Sequence, residues 1–156
     1  MQLVLAVLLM AACGASSAQV ATAKSAEYKA PLPTILDLAR EVAAENYVID
    51  GQAANAFVTR WQWYSREGGR QSPGADGLSQ ISEGSVSLQL LVEVVDVGLS
   101  RVAVTVTPRV LQVVIGSPKP RTLEPDDPSM PPWVHGRVDA LSLAIYERAK
   151  KYIEKP

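Results

Sequence analysis

The sequence predicts an α+β fold: an antiparallel four-stranded meander, one strand short, with an N-terminal and a C-terminal helix packed on one face. Three observations carry that expectation. First, residues 86–115 form two long β-branched arms folded back at Asp96-Val97-Gly98. Val86, Leu88, Leu90, Val92 and Val94 alternate with Ser87, Gln89 and Glu93, and Val102, Val104 and Val106 alternate with Arg101, Ala103, Thr105 and Thr107. That is the period-two signature of a half-buried antiparallel pair. Second, Ile35, Leu38, Ala39 and Val42 recur at helical spacing before this hairpin, and Val134, Val138, Leu141, Ile145 and Tyr152 after it. A one-sided sheet needs a cover, and these two apolar stripes supply it. Third, two shorter apolar stretches precede the hairpin and provide the remaining strands.

In chain order, the first helix is predicted from Thr34, with Pro33 just outside, Thr34 as cap and Asp37 three residues on. Asn46 ends it, because asparagine tolerates the left-handed conformation. Tyr47-Val48-Ile49 reads as the short strand and Asp50-Gly51 as a turn. Ala56 to Ser65 alternates, placing Phe57, Thr59, Trp61 and Trp63 on one face and Val58, Arg60, Gln62 and Tyr64 on the other. Residues 66–84 are rich in Gly, Ser, Arg and Gln, with Leu78 and Ile81 the only side chains suited to packing, and are expected to form a long loop. Pro108 interrupts the second hairpin arm and marks an edge or a bulge. Ser117 to Pro132, with six prolines, is an extended connector. The last helix starts near Pro132 or Trp133, and Arg148, Lys150 and Lys151 favour its C-terminal dipole.

The chain has 156 residues, 47% apolar and 20% charged, with a formal net charge of −1. This suits one domain with a processed N-terminus and gives no general attraction to nucleic acid. Gln2 to Ala12 is an uncharged apolar run, and the first charged side chain is Lys24. The run is shorter than the roughly 20 apolar residues that cross a bilayer and matches the apolar part of a secretory signal. Met10-Ala11-Ala12-Cys13 resembles the lipobox of bacterial lipoproteins, in which small residues precede a cysteine that is lipidated and becomes N-terminal. The resemblance implies lipidation at Cys13, the chain's single cysteine. It divides the chain into a signal peptide (1–12), a lipid-anchored flexible tether (13–33) and one α+β domain (34–156). Gly14 after the cysteine points to the outer membrane, facing the periplasm. Cleavage after Ser16-Ser17-Ala18 is the rival, and it would leave a soluble periplasmic protein.

Catalytic patterns are sparse. His135 is the lone histidine, Asp126-Asp127 lacks calcium-loop spacing, and no G-x-S-x-G or S-x-x-K motif occurs. No metal, cofactor or enzymatic role is expected. Trp61 and Trp63, two apart on one strand, form a platform for a sugar or peptide if their face is open, and core if it meets the helices. Arg66 and Arg70, with Arg60, make a basic patch running into the long loop. The layout is similar to the small periplasmic domains of outer-membrane lipoproteins, such as those of the β-barrel assembly machinery, but no functional residue transfers from it. The expectation is a non-enzymatic envelope lipoprotein, held to the membrane by its anchor and serving an envelope protein partner in assembly or scaffolding. The alternative is a glycan- or lipid-binding module using Trp61, Trp63, Arg66 and Arg70.

Overall fold

The computed structural model describes residues 15–72 and 81–153; Cys13, Gly14 and Leu78 lie outside them. In chain order the elements are α1 (Ser17–Lys24), β1 (Glu27–Tyr28), α2 (Leu32–Ala44), β2 (Ile49–Gln52) and β3 (Ala56–Thr59). Then come β4 (Gln62–Tyr64), β5 (Arg70–Gln71), β6 (Val86–Gly98), β7 (Arg101–Gln112), β8 (Arg121–Leu123) and α3 (Pro132–Ala149). A 3-10 turn at Lys150–Tyr152 closes the order. The fold is α+β, with three α-helices and one antiparallel sheet of eight strands among the described residues.

The long hairpin is the axis of that sheet. β6 and β7 pair in constant register from Val86↔Gln112 to Asp96↔Val102. Each flank of the pair is shared by short strands placed end to end. β3 and β4 lie in succession along the other edge of β6, with β2 beyond β3 and β5 beyond β4. β1 and β8 occupy opposite ends of the outer edge of β7.

Val86, Leu88, Leu90, Val92 and Val94 all point into the core, together with Val102 and Val110 of β7. Ile35, Leu36, Ala39, Val42 and Ala43 of α2 and Val134, Val138, Leu141 and Ile145 of α3 meet them in a single cluster. Fully burying one such aliphatic side chain stabilises the fold by about 1.5–3 kcal/mol. The two helices therefore cover one face of the sheet, as their stripes predict.

The four-strand meander is too simple, and each added strand has a physical origin. The stretch 13–33 is ordered in its described part. Ser16 caps α1 reciprocally with Gln19, and Lys24 Nζ meets Asp139 Oδ1 at 2.5 Å, docking α1 on α3. Tyr28 of β1 is buried and pairs with Val102. α2 starts two residues before Thr34, with Pro31 as its cap residue and no side-chain cap bond, so the Thr34–Asp37 cap does not form. The short strand lies later than Tyr47–Ile49 and contains Asp50 and Gly51 rather than turning there. The loop 66–84 contributes β5, and the proline-rich connector contributes β8.

Pro108 sits on the outer edge of β7. The Val113 N–H donates to the Ser85 carbonyl, so alternate residues counted back from Val113 face β6 and Pro108 faces away, where its missing N–H breaks no ladder bond. The hairpin turns at Leu99-Ser100 rather than at Asp96-Val97-Gly98. Both residues have positive φ, 54° and 58°, and Gly98 pairs with Arg101 across them.

Candidate functional site

The predicted strand Ala56–Ser65 is two strands, and the break decides where the tryptophans go. Val58 pairs with Leu91 while Gln62 pairs with Leu88, so four steps on one chain match three on the other. This is a one-residue bulge, which reverses the face of every side chain beyond it. Phe57, opposite Val92, and Tyr64, opposite Val86, both enter the helix-covered core. Trp63, opposite Ser87, lies on the other face. Phe57, Thr59, Trp61 and Trp63 do not form one continuous face, because alternation holds only within an unbroken register. The buried ring at Tyr64 escaped the sequence reading for the same reason.

The bulge is held by specific bonds. Thr59 Oγ1 accepts from the Leu90 N–H at 2.9 Å, and the Gln89 side-chain amide donates to the Thr59 carbonyl at 3.0 Å. Arg109 in turn donates to Gln89 Oε1. Ser87 and Gln89 are buried, so the helix-free face is closed by its own side chains at this end. Further along it, Val58, Leu91 and Leu111 are half-buried, and Glu93, Thr105 and Thr107 alternate with apolar neighbours. No described helix covers this face.

The two arginines occupy different places. Arg70 donates to the Asn46 carbonyl at 2.8 Å, at the C-terminal end of α2, and lines a cleft of about 210 Å³ with Tyr47, Arg60, Gln62 and Tyr64. Arg66 lines a groove of about 490 Å³ with Glu83, Gly84, Gln112 and the segment Pro128–Pro132. Neither tryptophan lines either hollow. Trp61, 38% exposed, is the more open of the pair. Across β4 and β5, Trp63 stands opposite Gln71 and Arg70 opposite Tyr64, so Arg70 follows the Tyr64 side and Trp63 the other face.

The Arg66 groove is firmly framed. The Trp133 indole N–H donates to the Arg66 carbonyl at 2.9 Å, and Arg137 donates to the Gly68 carbonyl at 3.1 Å. The Arg137 guanidinium lies 4.4 Å from the centre of the Tyr64 ring, which meets the Trp133 ring at 5.1 Å. Trp133 is therefore a brace between α3 and the loop. On the opposite wall, the Ser129 hydroxyl and backbone N–H donate to Asp127, and with Arg121 nearby they hold its carboxyl below the usual aspartate range. Asp127 is tied into its own turn and offers no free acid or base to the groove. His135 is exposed near the start of α3. Among the described residues, no group of three or more His, Cys, Asp or Glu side chains could hold a metal ion, and no helix is long and apolar enough to cross a membrane.

Compared with known proteins, the chain matches no family model and no curated protein.

Proposed function

We propose that this protein is a non-enzymatic bacterial cell-envelope lipoprotein, anchored through Cys13 to the outer membrane and presenting its α+β domain to the periplasm as an assembly or interaction subunit. The observation that carries the reading is the helix-free sheet face. It leaves Val58, Leu91 and Leu111 half-exposed beside Glu93, Thr105 and Thr107, a mixture of apolar and polar side chains suited to a protein partner. The hydrogen-bonded groups around it, Thr59, Gln89 and Arg109, have their capacity taken up in structure. The lipobox-like Met10-Ala11-Ala12-Cys13 supplies the anchor in this reading.

The test is the intact mass of the mature protein from a bacterial host, with and without an inhibitor of lipoprotein signal peptidase. An acylated N-terminus at Cys13 that disappears on inhibition supports the reading. An unmodified chain beginning at Gln19 overturns the anchor. Crosslinking in cells from a reporter at Thr105 then tests the interaction role, which fails if no envelope protein is captured.

A further inference from the structure

Beside the C-terminal end of α2 lies a hollow of about 280 Å³, walled by Val42 and Tyr47 and by Leu141 and Ala144 of α3. Arg70 of β5 and Arg137 of α3, far apart in the chain, line it together. The cleft at Tyr64 adjoins it, sharing Asn46, Tyr47 and Arg70. No acidic residue lines either hollow.

Among the described residues, both guanidinium groups are held by neutral partners. Arg70 donates through Nη2 to the Asn46 carbonyl at 2.8 Å. Arg137 donates through Nη2 to the Gly68 carbonyl at 3.1 Å and lies over the Tyr64 ring at 4.4 Å, with the Trp133 ring at 5.4 Å. By contrast, Arg40, Arg101, Arg121 and Arg148 each meet a carboxylate. The acids on nearby residues are turned to other cations: Glu45 meets Arg148 at 2.7 Å, and Asp50 lies 3.8 Å from Arg60. Glu67, beside Gly68, is exposed and lines neither hollow. A guanidinium has more N–H donors than one carbonyl uses and stays charged at any ordinary pH. Both arginines therefore keep donors and an unneutralised charge, already fixed in place, which lowers the ordering cost of binding.

The walls narrow the ligand. Two cations call for an anion, and arginine forks match carboxylate and phosphate oxygens. The carbonyl end of α2, with its partial negative charge, finishes at the same place. It opposes a second negative charge and so favours a carboxylate over a phosphate dianion. The apolar walls call for an aliphatic body, and the volume holds a short one. We infer that this hollow binds a carboxylate carried on a short aliphatic body, with Arg70 and Arg137 meeting its oxygens and Val42, Leu141 and Ala144 its chain. A small free acid and the C-terminal residue of a peptide share that chemistry. The site depends on neither the anchor at Cys13 nor the helix-free face.

The test is a titration of the full chain with hexanoate, followed through the arginine Nε–H signals in nitrogen-edited NMR spectra, with hexanamide as the uncharged control. The expected result is a saturable shift of the Arg70 and Arg137 signals at millimolar hexanoate and none with hexanamide. Arg70→Gln and Arg137→Gln should each weaken hexanoate binding at least about tenfold, as the loss of a charge-assisted hydrogen bond implies. N-acetylleucine in place of hexanoate separates the sources: tighter binding assigns a peptide C-terminus, weaker binding a free acid. The absence of a saturable shift overturns the proposal, as do equal shifts with hexanamide or with inorganic phosphate at the same ionic strength. Unchanged hexanoate affinity in Arg70→Gln also overturns it, leaving Arg70 as a cap on α2 alone. If a variant fails to fold, the comparison of hexanoate with hexanamide on the parent chain decides.

Discussion

The Thr59 hydroxyl oxygen accepts a hydrogen bond from the Leu90 backbone N–H at 2.9 Å. The extra residue between β3 and β4 denies Leu90 a backbone partner on that side, and the threonine side chain takes the place of the missing carbonyl. Thr59→Val keeps the shape and leaves a buried N–H unsatisfied, at a cost of about 1–3 kcal/mol. Chemical denaturation should show the loss in midpoint with an unchanged slope.

Gly68 has φ +90°, and a Cβ there would lie 3.0 Å from the Trp133 ring. Gly68→Ala meets both a left-handed backbone and a fixed indole that is bonded to Arg66. It should destabilise by about 1–2 kcal/mol from the backbone alone, read as a lower melting temperature. Trp133→Ala removes the ring atoms that the new Cβ meets, so Gly68→Ala should cost less in that background than in the parent, and the double variant should lose less than the sum of the two single losses.

Burial, with Tyr146 nearby, pushes the Tyr28 hydroxyl up to about 12. The folded state holds this proton more tightly than the unfolded chain, whose tyrosine titrates near 10. The stabilisation is complete below pH 10 and is lost as the pH rises towards 12, an effect on the order of 2–3 kcal/mol. Tyr28→Phe should flatten the stability profile across that window, measured by denaturation at stepped alkaline pH.

Replacing Leu99-Ser100 with Asn-Gly gives the turn the residues that its positive φ values favour. Stability should rise by about 1 kcal/mol or more. A thermal melt that moves down instead would show that Leu99 is packed rather than exposed.

Trp61 is the most exposed of the indoles, whereas Trp63 and Trp133 are half-buried. Trp61→Phe should shift the emission to the blue and lower the acrylamide quenching constant. If quenching is unchanged, Trp61 is shielded and the aromatic-platform alternative loses its last open ring.

The long hairpin and both covering helices were legible because period-two and helical alternation survive wherever register is unbroken. Val86–Val94 and Val134–Ile145 are such runs. The short strands were not legible: β1, β5 and β8 hold two or three residues each, too few to show any period. They are strands because β4 and β7 have edges to offer them. The shared face of Phe57, Thr59, Trp61 and Trp63 is broken by a single bulge, because alternation counted from Phe57 cannot see the residue inserted before Gln62. Pro108 was read as an edge position or a bulge, and of the two the edge is found, since a missing N–H is a local chemical fact that needs no register.

The split flanks of the sheet also set an order of assembly. β6 and β7 are joined by a two-residue turn, so their pairing closes the smallest loop in the sheet. β1 must bring Glu27 to Ala103, across most of the domain. Loop-closure entropy opposes the second contact far more than the first. The hairpin is the natural nucleus, with β1 among the last strands to join. Mutations in the β6–β7 core should therefore slow folding, and mutations in β1 should mainly speed unfolding.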